Sequence, residues 1–527
     1  MTTPRHIALV GCGFTGTSAF YQLVDRYPVE KITIFEATGD FGPGYPYRTD
    51  ESRDYLINNT TDTMCLVASN RRAFVDWLRT RPDLAPDLDE KGHLPRPVYG
   101  EFLKDAVAAT RVNAAIKGIA VDLIPHAVSD ITETDGGVTL TWAGGTTVAD
   151  VAILTTGRAV EYQPFPAPPA GGARYLASHI GTADFETIPP DATVHIMGAS
   201  LSAYDVLNRL FAPSTGCRFA RGADGALTFV PGANQRHAVL CSRSGRIKGA
   251  QTRNGGAVTR NAFTPARIRA LAGAGQFDLA ALRDLVMDDA AANGVTLDAD
   301  GLMDPYRDCA DADALNARAA EILAHAIGLA DSSDTVNFLV DFLGDAQVDL
   351  WDLFAERLLS AEAERTYRDA VETAVLCYAA PCPVPTAEKI LALMKAGRLR
   401  ILKGARDVGL DDTGAYTIHH DFGSERADIL VNTIGAVNRD VAHPDQDGLT
   451  RALAKKGYLR PYARDGIALP GADVDMASFR ATGATNIYVA NMMLWGPGFF
   501  TSSAFMMATV VERLLARMFQ AGAMGKG

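Results

Sequence analysis

Apolar residues near the N-terminus follow the order strand, glycine turn, helix, strand. The stretch HIALV, from His6 to Val10, is a short apolar run that leads directly into a glycine-rich turn. Helical spacing of apolar side chains follows from Thr15 to Asp25, and a second apolar run covers Lys31 to Phe35. Because parallel strands need a crossover of this kind, the pattern predicts a βαβ unit.

The same order of elements returns in the middle of the chain. Residues 194–210, VHIMGASLSAYDVLNRL, contain an apolar run, a lone glycine, two serines and a helical pattern. Another apolar run, HAVLCS, begins at His237. The sequence therefore predicts an α/β fold with two Rossmann-like units.

Two further stretches alternate apolar and polar residues, and each predicts an antiparallel meander. The first covers residues 128–154 and runs into TTG at 155–157, and the second covers residues 398–432 and runs into TIG at 433–435. Prolines between residues 164 and 169 predict a linker after the first meander. Residues 265–376 are rich in Ala, Leu and Asp at helical spacing, so they predict a helical insertion.

Composition restricts the class of protein. The chain has 527 residues, of which 47% are hydrophobic and 21% charged, so we expect two or three domains with full cores. Its formal charge of -12 comes without long Lys/Arg runs, which disfavours nucleic acid or a membrane as the partner. No signal peptide or membrane span is predicted, and seven scattered cysteines suit a reducing compartment, so we expect a cytoplasmic location.

The first glycine turn has the spacing of a dinucleotide-binding fingerprint, G-x-G-x-x-G. Three glycines allow a tight turn, close approach of a pyrophosphate and close packing of helix on strand. Glu36 ends the next strand about 20 residues after the last glycine, where a carboxylate accepts hydrogen bonds from ribose hydroxyls. An acid at this place suits FAD. The predicted contacts are Gly11, Gly13, Phe14, Thr15, Gly16 and Glu36.

The second turn is less regular, and its following strand ends in cations. Small residues replace two of the glycines, and a serine is suited to cap the next helix. Arg243 follows the strand, with Arg246 and Lys248 beyond it, and a ribose 2′-phosphate requires cations there. We interpret this unit as an NADPH site; the alternative is a packing repeat with surface arginines. The predicted contacts are Gly198, Ser200, Leu201, Ser202 and Arg243.

Several local sequences resemble one group of flavoproteins. They are the paired glycine turns, TTG, TIG, FGPGYPY (41–47), LINNTTDTM (56–64), RPVYGEFL (96–103), SRSGRIKG (242–249) and GPGFF (496–500). Nearly the whole chain outside the helical insertion is similar to flavin monooxygenases with two dinucleotide sites. The similar branch includes L-aspartate N-monooxygenase (nitrosuccinate synthase) and FAD-dependent urate hydroxylase.

The resemblance implies how the two cofactors divide the chain. Residues 1–160 and 438–527 are expected to form an FAD-binding domain, and residues 161–437 an NADPH-binding domain with the insertion at 265–378. Asn491 follows Ala490 where many relatives have Gly-Asp, and its amide retains the capacity to hydrogen-bond ribityl hydroxyls. The implied further FAD contacts are Val128, Thr156, Gly157, Gly435, Asn491, Gly498 and Phe499.

The resemblance also implies that the cofactors carry the reaction. NADPH would reduce the flavin, O2 would add at flavin C4a, and the hydroperoxide would transfer one oxygen atom to the substrate. The sequence has no G-x-S-x-G or HExxH motif and no metal-ligand spacing among its histidines, so no triad or metal is predicted. Cys377 and Cys382 have the C-x4-C spacing of disulfide reductases, but their place after the insertion favours a structural role.

Substrate contacts are expected on loops near the flavin. By resemblance to aspartate N-monooxygenase, Thr63 and Arg439 are candidates for an amino diacid, and Asn438 neighbours Arg439. Arg439 has the forked geometry that binds a carboxylate, although a salt bridge at the domain crossover is an equal alternative. Arg253 or Arg260 would hold the second carboxylate.

We therefore predict an NADPH-dependent flavin monooxygenase that N-hydroxylates a small polar amino acid such as L-aspartate. Alternatives are hydroxylation of urate or another small heterocycle, a flavoprotein reductase or oxidase without oxygen transfer, and a flavin-binding sensor. The expected partners are a small-molecule substrate and O2. The oligomeric state is left open, with a homodimer as one option.

Overall fold

The computed structural model describes residues 3–157, 162–181, 185–253, 258–332, 335–434 and 439–524. Two predicted site residues, Gly435 and Asn438, lie outside the described residues.

The described residues form both β-strands and α-helices. The strands are β1 (His6–Val10), β2 (Lys31–Phe35), β3 (Ala120–Ile124), β4 (Val128–Thr134), β5 (Gly137–Trp142), β6 (Gly145–Ala149), β7 (Val151–Leu154), β8 (Arg174–Leu176), β9 (Thr193–Met197), β10 (Arg218–Arg221), β11 (Leu227–Val230), β12 (His237–Ser242), β13 (Leu399–Lys403), β14 (Arg406–Leu410), β15 (Tyr416–His420), β16 (Gly423–Ala427), β17 (Ile429–Asn432), β18 (Pro461–Arg464), β19 (Ile467–Ala472), β20 (Val474–Asp475), β21 (Arg480–Ala481) and β22 (Ile487–Val489).

The α-helices are α1 (Phe14–Arg26), α2 (Ala73–Arg79), α3 (Arg96–Ile116), α4 (Leu201–Leu210), α5 (Pro265–Gly273), α6 (Leu279–Ala292), α7 (Ala299–Met303), α8 (Ala312–Asp331), α9 (Phe338–Asp345), α10 (Gln347–Ala355), α11 (Ala361–Thr366), α12 (Glu372–Ala379), α13 (Val384–Lys395), α14 (Gly448–Lys455) and α15 (Ala504–Met524). Short 3-10 helices cover Thr61–Thr63, Pro213–Thr215 and Met492–Trp495, and a π-helical turn covers Tyr367–Val371.

The first sheet has seven strands in the order β20-β21-β22-β7-β1-β2-β3. Strands β1, β2, β3, β7 and β22 pair in parallel, and the two short strands β20 and β21 are antiparallel at one edge. Helix α1 packs against α3 and α15, so the C-terminal helix covers the first crossover helix. The predicted elements β1, α1 and β2 are confirmed.

The second sheet has five parallel strands in the order β13-β12-β9-β17-β8. Strand β9 and helix α4 form the second strand–turn–helix unit, as predicted from residues 194–210. The structure also contains strand β8 and the hairpin β10–β11, which the sequence did not predict. Both are short, at three and four residues per strand, and β8 follows a proline-rich stretch that masks its pattern.

Both predicted meanders are present as three-stranded antiparallel sheets, β4-β5-β6 and β14-β15-β16. Their predicted extents were too long, because β7, β13 and β17 belong to the parallel sheets. Strands β7 and β17 are buried at every position, as strands with helices on both faces are. A continuous apolar run is therefore a better indicator of these strands than alternation.

The helical insertion is present from α5 to α12, with the π-helical turn between α11 and α12. Some of its apolar side chains, such as Phe342 and Trp351, belong to the same buried cluster as the core of the first sheet, whereas Leu315 and Leu323 of α8 belong to the core of the second. Helix α13 continues the helical region to Lys395 and packs under the second sheet against α4 and α8. Within the described ranges no helix combines the length and apolar character needed to cross a bilayer.

Candidate functional site

One cavity of about 2240 Å³ connects the two α/β units. Its wall includes the turn after β1 and the turn after β9, each at the carboxyl end of a parallel strand and at the start of a helix. Ligands of open α/β sheets bind in such crevices. The lining residues among the predicted cofactor contacts are Gly11, Gly13, Phe14, Thr15, Glu36, Val128, Thr156, Gly157, Gly198, Ser200, Leu201, Ser202 and Arg243.

At each of the three glycines of the first turn, a Cβ atom would come too close to a neighbouring backbone atom. Gly11 adopts a φ of +106°, and a Cβ there would lie 2.6 Å from the carbonyl oxygen of Thr155. A Cβ on Gly13 would lie 3.3 Å from Cα of Gly44. Gly16 does not line the cavity; a Cβ on it would lie 2.1 Å from the carbonyl oxygen of Gly11. Gly16 thus lets α1 pack closely on the turn.

Helix α1 presents unpaired N–H groups to the cavity. It begins at Phe14, and Gly13 before it supplies no side-chain cap. The first N–H groups of a helix have no partner within the helix, and they carry the positive end of its dipole. Because Phe14 and Thr15 line the cavity, this helix end is suited to a pyrophosphate.

Glu36 is fixed in orientation at the end of β2. Its Oε2 accepts a hydrogen bond from the N–H of Cys12 at 2.9 Å. Its Oε1 accepts from the N–H and the hydroxyl of Thr38, at 3.2 and 3.0 Å. A carboxylate has about four lone-pair sites, so capacity for ribose hydroxyls remains.

The second turn repeats this geometry with fewer glycines. Gly198 has a φ of +124°, and a Cβ there would lie 2.5 Å from the hydroxyl of Thr433. Helix α4 begins at Leu201, and Ser200 stands at its N-cap position without a side-chain hydrogen bond to the helix. The expected serine cap is therefore wrong. The consequence is that the N–H groups of Leu201 and Ser202 and the Ser200 hydroxyl are available at the cavity wall.

Cations without acidic partners follow β12. Arg243, Arg246 and Lys248 all line the cavity. Arg246 donates to the carbonyl oxygens of Leu302, at 2.8 Å, and of Met303, and the Lys248 ammonium donates to a backbone carbonyl as well. In the part of the chain that the structure describes, none of the three forms an ion pair, so this wall is electropositive.

Arg439 lies in the cavity wall and also forms an ion pair. Its guanidinium lies 4.0 Å from the ring centroid of Trp495, and its Nη1 lies 3.5 Å from Oε2 of Glu372. Trp495 donates its indole N–H to Oε1 of Glu372 at 2.8 Å. Burial lowers the pKa of Arg439, and the Glu372 carboxylate opposes that shift. Both sequence interpretations of Arg439 are thus compatible with its position.

Two other predicted substrate residues do not line the cavity. The hydroxyl of Thr63 donates to the carbonyl of Thr60 at 2.8 Å, while Asn58, Asn59 and Met64 of the same loop face the cavity. Arg253 is exposed and pairs with Asp331. The alternative cation, Arg260, pairs with Asp345 at 2.6 Å and Asp349 at 2.5 Å, which are acids of the helical insertion.

Three predicted contacts of the C-terminal loop, Asn491, Gly498 and Phe499, are not among the residues that line the cavity. Phe499 stacks on Phe354 at 6.0 Å between ring centroids, and a Cβ on Gly498 would lie 2.5 Å from the Trp351 ring. Both positions are thus occupied by packing against the helical insertion. Asn491 donates to the Thr156 hydroxyl at 3.1 Å and accepts from the N–H of the 3-10 helix that follows. Met492, Trp495 and Phe500 form the cavity wall here.

The loop before α15 also borders the cavity. Ser503, just before the helix, accepts a hydrogen bond from the N–H of Met506 at 3.5 Å. Phe500 lies in the cavity wall with a φ of 51°, a strained conformation for a residue with a bulky side chain. The loop before α15 therefore presents a fixed aromatic edge to the cavity.

Sequence reasoning missed Arg96 as a cavity residue. Its guanidinium is buried and pairs at 2.8 Å with Asp205 of α4, which joins the two α/β units. Burial raises the pKa of Asp205 to about 6, and the Arg96 charge opposes that shift. The local sequence RPVYGEFL includes Arg96, but its ion pair with Asp205 is a long-range contact that the local sequence does not predict.

The two cysteines with C-x4-C spacing are buried free thiols. Burial raises the pKa of both, to about 12 for Cys382, so neither forms a thiolate at neutral pH. Cys377 lines the cavity, and Cys382 does not. No group of three metal-ligating side chains occurs among the described residues.

The steric role of Gly16 gives a direct test of the first turn. Replacing Gly16 with Ala removes no polar contact, but the added methyl group would separate α1 from the turn. We expect the flavin content of the purified protein to fall about tenfold or more, since the helix N-terminus moves away from the pyrophosphate. Gly136→Ala is the matched control, because a Cβ at Gly136 has no atom within 4 Å. Equal flavin content in both variants would contradict this role.

Known proteins resemble parts of this chain. Residues 8–159 match the FAD-NAD(P)-binding family. An uncharacterised Escherichia coli K12 protein, YdhS, is 25% identical over 220 residues, which are 38% of this chain and 38% of the relative. Nitrosuccinic acid synthase npaA of Aspergillus oryzae is 24% identical over 275 residues, which are 46% of this chain and 41% of the relative. The chain thus spans about two fifths of the length of these relatives.

Solved structures that align with this chain have low sequence identity. The ornithine N-hydroxylase KtzI of Kutzneria sp. 744 aligns over 98% of this chain and 99% of its own, with a TM-score of 0.48 and 15% identity. The L-lysine 6-monooxygenase of Pseudomonas syringae aligns over the same shares, with a TM-score of 0.48 and 13% identity.

The family match covers the residues that form the first half of the cavity. The first glycine turn, Glu36 and Val128 all lie inside it. The match to the FAD-NAD(P)-binding family thus covers residues 8–159, which are less than half of the chain.

Proposed function

We propose that the protein is an NADPH-dependent, FAD-containing monooxygenase that N-hydroxylates a small acidic amino acid, with L-aspartate as the leading candidate. The observation that carries the proposal is the single cavity lined by both glycine turns. A protein that only bound a flavin would not need a second dinucleotide-binding turn in the same cavity. One cavity allows a nicotinamide and an isoalloxazine ring to meet.

FAD fits the first half of the cavity. The free N–H groups at the start of α1 would hold its pyrophosphate, and Glu36 would accept hydrogen bonds from its ribose. Thr156, Gly157 and the edge formed by Trp495 and Phe500 line the path toward the substrate space. Bound FAD supplies the redox and oxygen-transfer chemistry, while these residues orient it and exclude water.

NADPH fits the second half. The start of α4 and the Ser200 hydroxyl would hold a pyrophosphate, and Arg243 is an exposed cation at the end of β12, where a 2′-phosphate lies in such folds. No acid stands at the place that Glu36 occupies in the first unit. This difference between the two units supports a phosphorylated dinucleotide in the second one.

Arg439 supports an acidic substrate. Its guanidinium stacks on Trp495 in the cavity wall, and its pairing with Glu372 fixes its orientation. The matched relative from Aspergillus oryzae is named for nitrosuccinic acid, a nitro-substituted dicarboxylic acid. L-aspartate has the same four-carbon dicarboxylate skeleton with an amine in place of the nitro group.

A dithiol reductase is the less favoured candidate. The paired cysteines would have to form a thiolate beside the flavin, and burial keeps both thiols neutral. All seven cysteines of the chain are free, which supports our expectation of a reducing, cytoplasmic location.

The test of the proposed function is coupled substrate oxidation. Each N-hydroxylation consumes one NADPH, one proton and one O2, and releases NADP+ and water. We expect L-aspartate to raise NADPH consumption about tenfold or more, with equimolar O2 uptake and a hydroxylamine product identified by mass spectrometry. L-glutamate, L-ornithine, L-lysine and urate are the comparison substrates. Stimulation by urate alone would favour heterocycle hydroxylation, and hydrogen peroxide as the only product would contradict oxygen transfer.

The preference of the enzyme for NADPH over NADH tests the second half of the cavity separately. Arg243→Ala removes an exposed cation that forms no ion pair within the described residues, so folding should be unaffected. A charge-assisted hydrogen bond contributes about 1.5–3 kcal/mol, so the KM for NADPH should rise about 10- to 100-fold. The KM for NADH should change by less than about threefold. Arg221→Ala, which removes a surface arginine paired with Glu388, is the control. An unchanged ratio of the two KM values would refute the assignment of Arg243.

A further inference from the structure

Lys248 is a buried cation in the cavity wall whose hydrogen-bonding capacity is mostly unused. The residue is 7% exposed and lines the cavity. An ammonium group has three donors, and the only hydrogen bond described for this one goes to the carbonyl of Leu376, at 2.7 Å.

The surroundings of Lys248 supply no negative charge. Cys377 and Cys382 are titratable neighbours of Lys248, and burial keeps both as neutral thiols. Tyr204 is also a neutral phenol, because burial raises its pKa well above the ordinary value. Within the described ranges no Asp or Glu pairs with Lys248, and burial lowers its pKa. A buried ammonium without a counter-charge is costly, so an anion that enters the cavity would stabilise it.

Helix α12 contacts both Lys248 and Arg439. Glu372, at the start of this helix, pairs with Arg439, and the Leu376 carbonyl, four residues later, accepts from Lys248. Residues four apart share one face of a helix and are separated by roughly 6 Å along its axis. Thr373, between them in sequence, also lines the cavity. The residues of α12 that contact the two cations are therefore about one helical turn apart, and both cations line the cavity.

The geometry points to Lys248 as the second cation of the substrate site: it binds one carboxylate of a four-carbon amino diacid whose other carboxylate is bound by Arg439. This inference rests on the proposed function, and it replaces Arg253 and Arg260, which pair with acids outside the cavity. The chemistry that the site recognises is a short dicarboxylate. A monocarboxylate would leave one of the two cations without an anion.

The test uses succinate, a dicarboxylate without an amine, so that binding is measured without turnover. Succinate is titrated into the FAD-containing enzyme, and the dissociation constant is read from the perturbed visible spectrum of the flavin. Lys248→Gln removes the charge but keeps a donor for the Leu376 carbonyl, and Lys248→Arg keeps the charge. We expect Kd to rise about tenfold or more in Lys248→Gln and to change less than about threefold in Lys248→Arg.

Two controls accompany the titration. Lys389→Met removes a partly buried lysine of α13 that does not line the cavity, and it should leave the succinate Kd unchanged. Butyrate, a monocarboxylate, should bind more weakly than succinate to the unaltered enzyme and be less sensitive to Lys248→Gln. Unchanged succinate binding in Lys248→Gln would overturn the inference, and so would a raised KM for NADPH with normal succinate binding.

A structural role of Lys248 is separable from ligand binding. The Lys248 bond to Leu376 lies near the end of α12, where a cation also stabilises the helix. FAD content and melting temperature are therefore measured for each variant, with Lys248→Met as a second uncharged variant. If no uncharged variant retains FAD while Lys248→Arg does, the residue is structural and the inference is refuted.

The outcomes also distinguish this inference from the proposed function. Succinate binding that depends on Lys248, in an enzyme that oxidises no amino acid, would support the site and refute the function. Hydroxylation of L-aspartate with an unchanged KM in Lys248→Gln would support the function and refute the site.

Discussion

A helix that starts at the carboxyl end of a buried parallel strand leaves its first N–H groups without partners, and this constraint governs the whole cavity. It occurs twice, at α1 after β1 and at α4 after β9, and neither helix has a side-chain cap. Glycine at 11 and 198 is required because the turns adopt positive φ and press against the carboxyl ends of neighbouring strands. Both helix ends open on one space, so two anionic dinucleotides are the natural ligands.

Cations inside and outside the cavity differ in whether they have acidic partners. The chain carries a formal charge of -12, and many arginines outside the cavity, such as Arg253 and Arg260, pair with acids. Arg243 and Lys248, in contrast, line the cavity without an acidic partner within the described ranges. Concentrating unpaired cations in a low-dielectric cleft favours phosphates and carboxylates as ligands. The phosphate of NADPH and the carboxylates of the substrate would each supply negative charge to these unpaired cations.

Sequence reasoning succeeded where the determinants are local. The strand, the glycine turn and the helix of each unit could be predicted, because tight turns and helical spacing are properties of a few consecutive residues. It failed where the outcome depends on distant packing. Phe499 faces Phe354 and Arg253 pairs with Asp331 only because the helical insertion folds against the rest of the chain. The pairing of β7 and β17 with parallel sheets is non-local for the same reason.

The central claim is that an electron donor in the second cradle reaches a flavin in the first. The most direct measurement is anaerobic mixing of the purified protein with NADPH while the visible flavin spectrum is followed. The account predicts a protein that retains FAD through purification and loses its oxidised flavin absorbance rapidly with NADPH and more slowly with NADH. A colourless protein that does not take up added FAD, or bound flavin that stays oxidised with both donors, would contradict it.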